Sequence, residues 1–346
     1  FRRSNAFEAT RREVKAVREA VGINEVQNFG KFSVRGHGAR PWLDRIMAGR
    51  IPVPGRISLT PMLSPKGRLI GDLTVSCIAV DEFQLTASYG YQAVHERWLR
   101  DNRDDSISLE NISDQRTGFQ IAGPRARDVL DAVTRDDVSG ENFRFMDVKR
   151  MTVGMCDCIV QRVSYTGDLG YEIYSDPMSQ RALWQTLWTE GQKHGMQPFG
   201  MRAMMSLRLD KFFGSWLSEF SPDYTPGETG MDRFIAFNKD ADFIGRGAVE
   251  AERQMGASRG LVVFEVDALD ADVVGYEPVW INDEVKGFCT SGGYSHHAEK
   301  SIALALVDAT CLVDDLQAEI EILGHMRPAK RITRMLFDSD AHRMRG

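Results

Sequence analysis

The 346-residue sequence predicts an α+β protein with two related α+β lobes and a small antiparallel β-barrel or sandwich. Two observations support this fold class. Segments 32–44 and 119–131 repeat one another, and each alternates apolar and polar residues up to a glycine before changing to helical spacing. From Gly260 onward, short β-patterned segments separated by turns replace this mixture. We therefore expect two similar units side by side, followed by an all-β unit.

The spacing of apolar residues predicts the individual elements. The two lobes are expected to contain helices over 6–22, 91–99, 180–194 and 200–211, and strands over 68–80, 82–88, 151–163 and 171–174. The all-β unit is expected to contain strands over 261–266, 278–281, 285–290, 302–307 and 318–323. The polar segment 250–258 is the predicted linker, which places a first region at 1–250 and a C-terminal β-barrel at 258–346.

Charge and hydropathy argue against nucleic-acid and membrane partners. The formal net charge is -6, and basic residues alternate with acidic ones rather than forming a basic face. No apolar run reaches the roughly 18–20 residues that cross a bilayer, and the N-terminus has no signal-peptide core. Since the sequence begins with Phe1 and a helical pattern follows at once, we expect the chain to be the downstream part of a longer one.

The scattered cysteines and the absence of common catalytic motifs argue against several kinds of site. The five cysteines are scattered, which predicts neither a disulfide framework nor a zinc site and favours a reducing compartment. We expect the cytoplasm, or the mitochondrial matrix for a eukaryotic source. No metal-ligand, P-loop or nucleophile-elbow motif is present. The stretch 36–41 lacks the third glycine of a dinucleotide fingerprint, so any FAD is expected in an upstream domain or a partner.

Two carboxylates stand out for their surroundings. Asp72 lies within an apolar strand pattern, and Glu172 follows the turn 165–170. A carboxylate in an apolar strand loses hydration unless it is paired or functional. For Asp72 taken alone, the simpler alternative is a side chain that faces solvent at a strand start.

These segments, taken together with the helix 200–211, resemble the folate-binding aminomethyltransferase family, which includes the T-protein of the glycine cleavage system. The folate half of dimethylglycine and sarcosine dehydrogenases is more similar still, and the resemblance extends from Ser4 to about Lys330. Its further matching segments are 4–8, 16–22, 224–228, 242–246 and 300–305. The resemblance implies a clover-leaf of two ferredoxin-like α+β lobes and a C-terminal antiparallel barrel, with folate in the central opening.

The family resemblance also implies roles for individual residues. Glu172 matches the glutamate that holds the pteridine, where a carboxylate accepts two parallel hydrogen bonds from the ring amide and the exocyclic amine. Asp72 matches the catalytic aspartate beside the reactive folate nitrogens. Thr74 shares the strand face of Asp72, so both could reach one ligand, with a structural role as the alternative. Tyr165 matches a folate-contacting tyrosine, although an aromatic before a turn is often part of a core.

One departure from the family concerns the folate carboxylate tail. T-proteins usually carry an arginine where this sequence has Met204. Arg202 and Arg208 are the candidate substitutes, and the alternative for Arg208 is a buried structural ion pair. This departure favours the dehydrogenase-linked branch over the glycine-cleavage assignment.

The function implied by the resemblance is tetrahydrofolate-dependent one-carbon transfer. In the dehydrogenase-linked branch, a flavin domain oxidises a methylated amine, and tetrahydrofolate captures the resulting N-methylene iminium or formaldehyde as 5,10-methylene-tetrahydrofolate. Dimethylglycine, sarcosine and related amines all remain candidate donors. One alternative is a demethylase that moves an intact methyl group to tetrahydrofolate. Another is a non-enzymatic folate-binding accessory protein, whose characteristic cysteine motif is absent from the comparable stretch 242–247.

Overall fold

The computed structural model describes residues 2–346 and contains three units. Lobe 1 (residues 29–111) is built on a five-stranded sheet, and lobe 2 (residues 7–25 and 117–209) is built on a six-stranded sheet. The barrel (residues 259–332) is a closed ring of six antiparallel strands. Two sheet-and-helix lobes with a closed barrel confirm the predicted α+β class and decide for a barrel over a sandwich.

The elements follow one another with short connections. The helices and strands of the two lobes are α1 (Phe7–Glu19), β1 (Gly22–Glu25), β2 (Phe29–Arg35), α2 (Ala39–Ile46), β3 (Ile57–Leu63), β4 (Leu69–Ala79), β5 (Glu82–Ser88), α3 (Gln92–Asp101), β6 (Ser108–Asn111), β7 (Thr117–Ala122), α4 (Ala126–Val133), β8 (Val148–Val153), β9 (Cys156–Gln161), β10 (Gly170–Ser175), α5 (Gln180–Gln192), β11 (Gln197–Pro198) and α6 (Met201–Leu209). The connection to the barrel and the barrel itself contain α7 (Pro226–Thr229), α8 (Arg246–Met255), β12 (Arg259–Val266), β13 (Pro278–Ile281), β14 (Glu284–Ser295), β15 (Lys300–Asp308), β16 (Gln317–Ile322), β17 (His325–Ile332) and α9 (His342–Arg345).

The internal repeat forms the same strand–turn–helix unit in both lobes. Strand β2 leads into α2 through Gly36, and β7 leads into α4 through Gly123, with φ of 125° and 131°. Only glycine adopts such angles readily. In each copy the carbonyl of this glycine accepts the N–H that opens the helix, from Ala39 at 2.9 Å and from Ala126 at 3.0 Å. The repeat seen in the sequence is therefore a repeat of structure.

Lobe 1 buries one face of its sheet under its helices. Its strands lie in the order β3-β4-β5-β2-β6, and every neighbouring pair is antiparallel. Helix α2 buries Trp42, Leu43 and Ile46 against the apolar face. The side chains of this core that come from the sheet are Phe32, Val34, Met62, Leu73, Val75, Cys77, Phe83, Leu85, Ala87 and Leu109.

Lobe 2 includes the start of the chain. Its strand order is β11-β1-β7-β10-β9-β8, so β1, together with α1 before it, belongs to the second lobe although it precedes the first in sequence. Helices α4 and α5 pack on its core. The single strand expected over 151–163 is wrong, because β8 and β9 form a hairpin there. Gly154, with φ of 61°, lies in its turn.

The barrel closes through pairing between its first and last strands. The strand order is β12-β15-β14-β13-β16-β17, and β12 also pairs with β17. All five predicted strands are present, but β14 extends to Ser295 and β17 was not predicted. The segment 250–258, expected to link the two regions, contains the second half of α8. The proposed boundary between 1–250 and 258–346 stays a prediction. No helix within residues 2–346 combines the length and the apolar character needed to span a membrane.

Candidate functional site between the two lobes

Each lobe turns one face of its sheet inward to its own core and the other face towards its neighbour. In β4, Leu73 and Val75 point into the core of lobe 1, so Asp72 and Thr74 lie on the opposite face. In β10, Tyr171 and Ile173 point into the core of lobe 2. Glu172 therefore lies on the opposite face of its sheet as well.

Several contacts show that these two opposite faces meet. Ile57 of β3 packs against Val148 and Ile159 of lobe 2. Arg150 of β8 donates a hydrogen bond to Glu82 of β5 at 2.6 Å. We call the facing surfaces the interlobe seam. Its apolar part is the contact of Ile57, Val148 and Ile159. Its polar side chains include Lys31, Asp72, Thr74, Ser76, Gln84 and Thr86 from lobe 1 and Gln120, Gln161, Glu172 and Tyr174 from lobe 2.

Asp72 keeps part of its surface accessible within the seam. Loss of hydration raises the pKa of its carboxyl group from 3.8 to about 7, and a hydrogen bond with its own backbone opposes that rise. The carboxyl group can therefore hold or release a proton near neutral pH. Thr74 lies two residues further along the same face, half-buried and directly opposite Thr86 in the neighbouring strand.

Glu172 is almost completely enclosed, with 9% of its surface exposed. It accepts a hydrogen bond from the hydroxyl of Tyr174 at 2.7 Å. Burial raises the pKa of Glu172, while this hydrogen bond and the nearby charge of Lys31 act in the opposite direction. One carboxylate oxygen, Oε2, is engaged by the tyrosine, and Oε1 accepts no hydrogen bond from residues 2–346.

Lys31 supplies a positive charge to the seam from β2. Its residue is fully buried, and its ammonium donates to the carbonyls of Phe29 at 3.0 Å and Gln27 at 3.3 Å. Burial lowers the pKa of Lys31 to about 8, although the charge of Glu172 counteracts this. Lys31 and Tyr174 were not identified from the sequence, because neither belongs to a motif that distinguishes a site residue from an ordinary strand residue.

Tyr165 begins the turn that leads to Glu172. Its hydroxyl donates to the carbonyl of Gly214 at 2.6 Å, and its ring stacks on Phe213 with centroids 5.9 Å apart. Burial raises the pKa of Tyr165; the charge of Arg208 opposes this rise, and the charges of Glu219 and Asp72 add to it. Because the hydroxyl is engaged by the backbone, the ring face is the part that a ligand could contact.

The two candidate arginines differ in their surroundings. Arg202 is exposed at the start of α6. Arg208 is fully buried near the end of the same helix. Its guanidinium donates to the carbonyl of Phe213 at 2.7 Å, to Glu219 at 3.2 Å and to Ser291 of the barrel at 2.7 Å. This environment supports the structural alternative for Arg208, and a contact of either arginine with folate stays a prediction.

A buried charge cluster holds the turn 165–170 in place. Asp168 accepts two hydrogen bonds from Arg343, at 3.1 and 2.9 Å, and lies 3.6 Å from the guanidinium of Arg18. Arg18 in turn donates to the carbonyl of Thr166 at 2.9 Å and to Asp210 at 2.7 Å. Helix α1, helix α6 and the C-terminal segment thus fix the turn that carries Tyr165 and precedes Glu172.

Four further seam residues carry polar atoms that have no hydrogen-bond partner among residues 2–346. They are the hydroxyls of Ser76 and Thr86 and both carboxamide atoms of Gln84 and Gln161. Buried polar groups in folded proteins nearly always have a partner. Sequence reasoning missed these residues, since a single polar residue in a strand pattern usually faces solvent.

Comparisons with known proteins agree with this architecture. The GCVT N-terminal domain model matches residues 1–239, and the glycine cleavage T-protein C-terminal barrel domain model matches residues 259–338. The crystal structure of glycine cleavage system aminomethyltransferase T from Bartonella henselae superimposes with a TM-score of 0.85 at 21% identity. The match covers 95% of this chain and 90% of that one, and it supports the fold.

Two relatives show the similarity at the level of sequence. Mitochondrial dimethylglycine dehydrogenase from Homo sapiens is 36% identical over 348 residues, which cover 100% of this chain and 40% of that protein. The aminomethyltransferase of Geobacillus sp. (strain WCH70) is 30% identical over 329 residues, covering 94% of this chain and 90% of that protein. The chain thus spans about two fifths of the length of the dimethylglycine dehydrogenases that it matches. With both family models matched in order and the lobes and barrel in place, the chain belongs to the glycine cleavage T-protein family of aminomethyltransferases.

Proposed function

We propose that this chain transfers a one-carbon unit to tetrahydrofolate in the interlobe seam. In this proposal it captures an N-methylene iminium or formaldehyde from oxidative N-demethylation of an amine such as dimethylglycine or sarcosine and forms 5,10-methylene-tetrahydrofolate. The observation that carries the proposal is the placement of Asp72 and Glu172 on facing sheets, in a chain that is 36% identical to a dimethylglycine dehydrogenase.

The residues of the seam fit a folate molecule. The Oε1 atom of Glu172, together with Oε2, can accept hydrogen bonds from the amide N–H and exocyclic amine of the pterin ring. The half-buried rings of Tyr165 and Phe213, stacked on one another, are proposed to offer aromatic surface to the ligand. Thr74 is proposed to contact the same ligand, and Arg202 and Arg208 are the candidates for its carboxylate tail. Tetrahydrofolate supplies the two nitrogens that accept the carbon.

Asp72 is proposed to be the catalytic residue. Its carboxylate can stabilise the positive charge of an iminium ion through an attraction that the enclosed site strengthens. It can also accept the proton that is released when the carbon bridges the two acceptor nitrogens. A pKa of about 7 suits this proton transfer, because the carboxylate form is available at neutral pH and the group still binds a proton appreciably.

The oxidation step is proposed to occur elsewhere. The chain spans about two fifths of its dehydrogenase relatives, which supports a flavin-containing oxidoreductase domain or subunit as the source of the one-carbon unit. The methylated amine would be oxidised there and its product passed to the seam. We place this chemistry in the cytoplasm or, for a eukaryotic source, in the mitochondrial matrix.

Calorimetry and a product assay test the proposal. Tetrahydrofolate is titrated into the wild type, Glu172→Gln and the control Glu319→Gln, which removes an exposed carboxylate of the barrel strand β16. We expect Glu172→Gln to weaken binding about 10-fold or more and the control to bind like the wild type.

Formaldehyde is then added to the folate-bound proteins, and methylene-tetrahydrofolate formation is measured above the uncatalysed rate. Asp72→Asn is expected to bind folate but lose this excess rate.

Other outcomes would favour the alternatives. Binding of tetrahydrofolate without any rate above background would favour an accessory protein. Formation of methyl-tetrahydrofolate from a methylated donor in the absence of a flavin would favour the methyl-transferring demethylase. A wild type that does not bind tetrahydrofolate would rule out the folate assignment altogether.

A further inference from the structure

The turn 165–170 is held in place by helix α9, which follows the barrel. Arg343 of this helix donates two hydrogen bonds to the carboxylate of Asp168, from Nε to Oδ1 at 3.1 Å and from Nη2 to Oδ2 at 2.9 Å. The same Nη2 group donates to the carbonyl of Arg18 in α1 at 2.8 Å. A guanidinium that binds a carboxylate at two points fixes its direction as well as its distance. Helix α9 therefore fixes the position of Asp168 relative to α1.

Asp168 also organises the backbone of the turn. Its Oδ1 atom accepts the N–H of Leu169 at 3.0 Å. An added Cβ at Gly167 would overlap the side chain of Lys211, so the turn packs directly against that side chain. The ammonium of Lys211 in turn donates to the carbonyl of Asp338 at 2.6 Å. The segment that follows the barrel thus contacts the turn directly through Arg343 and indirectly through Lys211.

The proposed site residues closest to Asp168 in the chain lie on either side of it. Tyr165 begins the turn, and β10, which carries Glu172, starts at its end with Gly170. Asp168 itself is not placed to contact a ligand, because it is 0% exposed and both of its carboxylate oxygens are engaged. Any effect of Asp168 on ligand binding must therefore act through the placement of Tyr165 and Glu172.

Arg343 also favours the charged form of Asp168 that makes these bonds. Burial raises the pKa of Asp168, and the charges of Arg343 and Arg18 oppose this rise. Arg18 is the more distant partner, at 3.6 Å, and it donates to Asp210 at 2.7 Å. Arg343 lies beyond residue 338, where the match to the barrel domain model ends, so neither family model includes this ion pair.

We infer that Arg343 is a positioning residue for folate binding, because it holds the turn 165–170 through Asp168. The inference rests on the proposed function, in which Tyr165 and Glu172 contact the ligand. Release of the turn from α9 would change the distance between the ring of Tyr165 and the carboxylate of Glu172. A misplacement of about 1 Å caused by a distant substitution can reduce a rate by as much as about 100-fold. Helix α9 therefore contributes to affinity without supplying a ligand contact.

The variant Arg343→Met tests this inference, and Arg259→Met is the matched control. Arg259 of β12 donates to Glu228 of α7 at 3.0 Å, in an ion pair away from the turn. The side chains of Arg259 and Arg343 are 34% and 38% exposed, and those of their carboxylate partners 4% and 0%. Each carboxylate also has a second arginine 3.6 Å away. We therefore expect both variants to lose a similar amount of stability.

Tetrahydrofolate is titrated into each protein by calorimetry, at a temperature at which circular dichroism shows every variant folded. We expect Arg343→Met to weaken binding about 10-fold and Arg259→Met to bind within about twofold of the wild type. Equal affinities of Arg343→Met and the wild type would overturn the inference. Equal losses in Arg343→Met and Arg259→Met would overturn it as well, since the loss would then follow stability alone.

A double-variant cycle with Glu172→Gln shows whether Arg343 acts through the site. Effects of residues that act on one contact are not additive in free energy, whereas independent losses of affinity multiply. We expect Arg343→Met/Glu172→Gln to bind more tightly than the product of the two single losses predicts. Fully multiplied losses would contradict a role of Arg343 in placing Glu172.

A second variant covers the case in which Arg343→Met does not fold. Arg343→Lys keeps the charge but cannot make both hydrogen bonds of the guanidinium. It should also weaken tetrahydrofolate binding, and unchanged affinity of this variant would overturn the inference. A wild type that fails to bind tetrahydrofolate refutes the proposed function itself, so the two failures are distinguishable.

Discussion

Asp72 shows how a residue of the seam with a proposed catalytic role can lower the stability of the fold. The neighbouring residues of β4 that face the core, Leu73 and Val75, are fully buried and stabilise lobe 1. Asp72 faces the seam, where loss of hydration disfavours its charged form. Proteins often accept such destabilised groups where activity depends on them. We therefore expect Asp72, the proposed catalytic residue, to destabilise the folded state.

Replacing Asp72 by asparagine should stabilise the protein in a pH-dependent way. Because the pKa of Asp72 is raised from 3.8 to about 7, the folded state holds a proton more tightly than the unfolded state. Wild-type stability therefore falls as pH rises through this window, whereas asparagine carries no such proton. We expect Asp72→Asn to be more stable by on the order of 2 kcal/mol at pH 8, with the difference shrinking towards pH 4.

Thermal unfolding at pH 8 and pH 5 measures this effect. The control is Asp157→Asn, which removes an exposed carboxylate from strand β9 of lobe 2. If Asp72→Asn gained nothing over wild type at pH 8, Asp72 would not be destabilised by burial, and its assignment as a base that titrates near neutral pH would fail with it.

The sequence predicted some individual residues of the candidate site and not others. Asp72, Glu172 and Tyr165 were predicted because they belong to segments that match a family in order along the chain. Gln84 and Gln161 carried no such signal, because whether a lone glutamine in a strand meets water or another sheet depends on the packing of two distant segments. Only the three-dimensional structure brings the two lobes together.

Among the elements, the strand–turn–helix units of the repeat depend on backbone geometry at one glycine each. A Cβ atom at Gly123 would lie 2.5 Å from the carbonyl oxygens of Val17 and Ala20. At Gly36 it would lie 2.6 Å from the carbonyl oxygen of Ser106. Both obstacles are backbone atoms, which cannot rotate away as a flexible side chain would.

Replacing Gly123 by alanine should therefore destabilise the protein. The combination of an unfavourable φ of 131° and a backbone clash is expected to lower the free energy of unfolding by about 2–3 kcal/mol. Gly247, within α8 and with no heavy atom within 4 Å of its Cβ position, is the matched control. Gly247→Ala should stabilise by up to about 0.5–1 kcal/mol through helix propensity. Urea unfolding of both variants gives the comparison, and equal midpoints would contradict this account of the turn.

Most of the predicted elements are present because apolar periodicity dominates them. Strands β1, β3 and β6 were not predicted, and helix α8 extends into the predicted linker. Two further differences have local causes. The hairpin β8–β9 was taken for one strand, since the apolar character of 151–163 continues through its turn and only Gly154 interrupts it. Strand β17 was missed because basic residues and Pro328 interrupt its pattern. Its pairing with β12 and β16 closes the barrel and overrides that weak local preference.

For the molecule as a whole, a buried ion pair joins lobe 2 to the barrel. Glu219 is fully buried and accepts hydrogen bonds from Arg208 of α6 at 3.2 Å and from Thr290 of β14 at 2.7 Å. Ser291 also donates to the same carboxylate. The loop that contains Glu219 includes Gly214, whose carbonyl accepts the Tyr165 hydroxyl. One carboxylate thus connects the barrel, helix α6 and the edge of the candidate site.

Removing one residue of this ion pair should lower the stability of the whole protein. Glu219→Ala leaves the charge of Arg208 buried without its partner, and we expect a loss of about 3–5 kcal/mol in the free energy of unfolding. The double variant Arg208→Met/Glu219→Leu removes both charges and should recover most of that loss. Urea unfolding monitored by tryptophan fluorescence measures both. A double variant as unstable as the single one would show that the charges themselves are required.

The polar character of the seam has a consequence for how heat affects the molecule. Unfolding a lobe or the barrel exposes apolar surface and increases the heat capacity, whereas exposure of polar groups decreases it. Separation of the two lobes would expose polar side chains such as Asp72, Gln84 and Glu172 together with the apolar contact of Ile57, Val148 and Ile159. It would therefore change the heat capacity less than global unfolding does. The van't Hoff plot of such an opening would be less curved than that of global unfolding. On cooling or warming, access to the seam and stability of the fold would therefore not change in parallel.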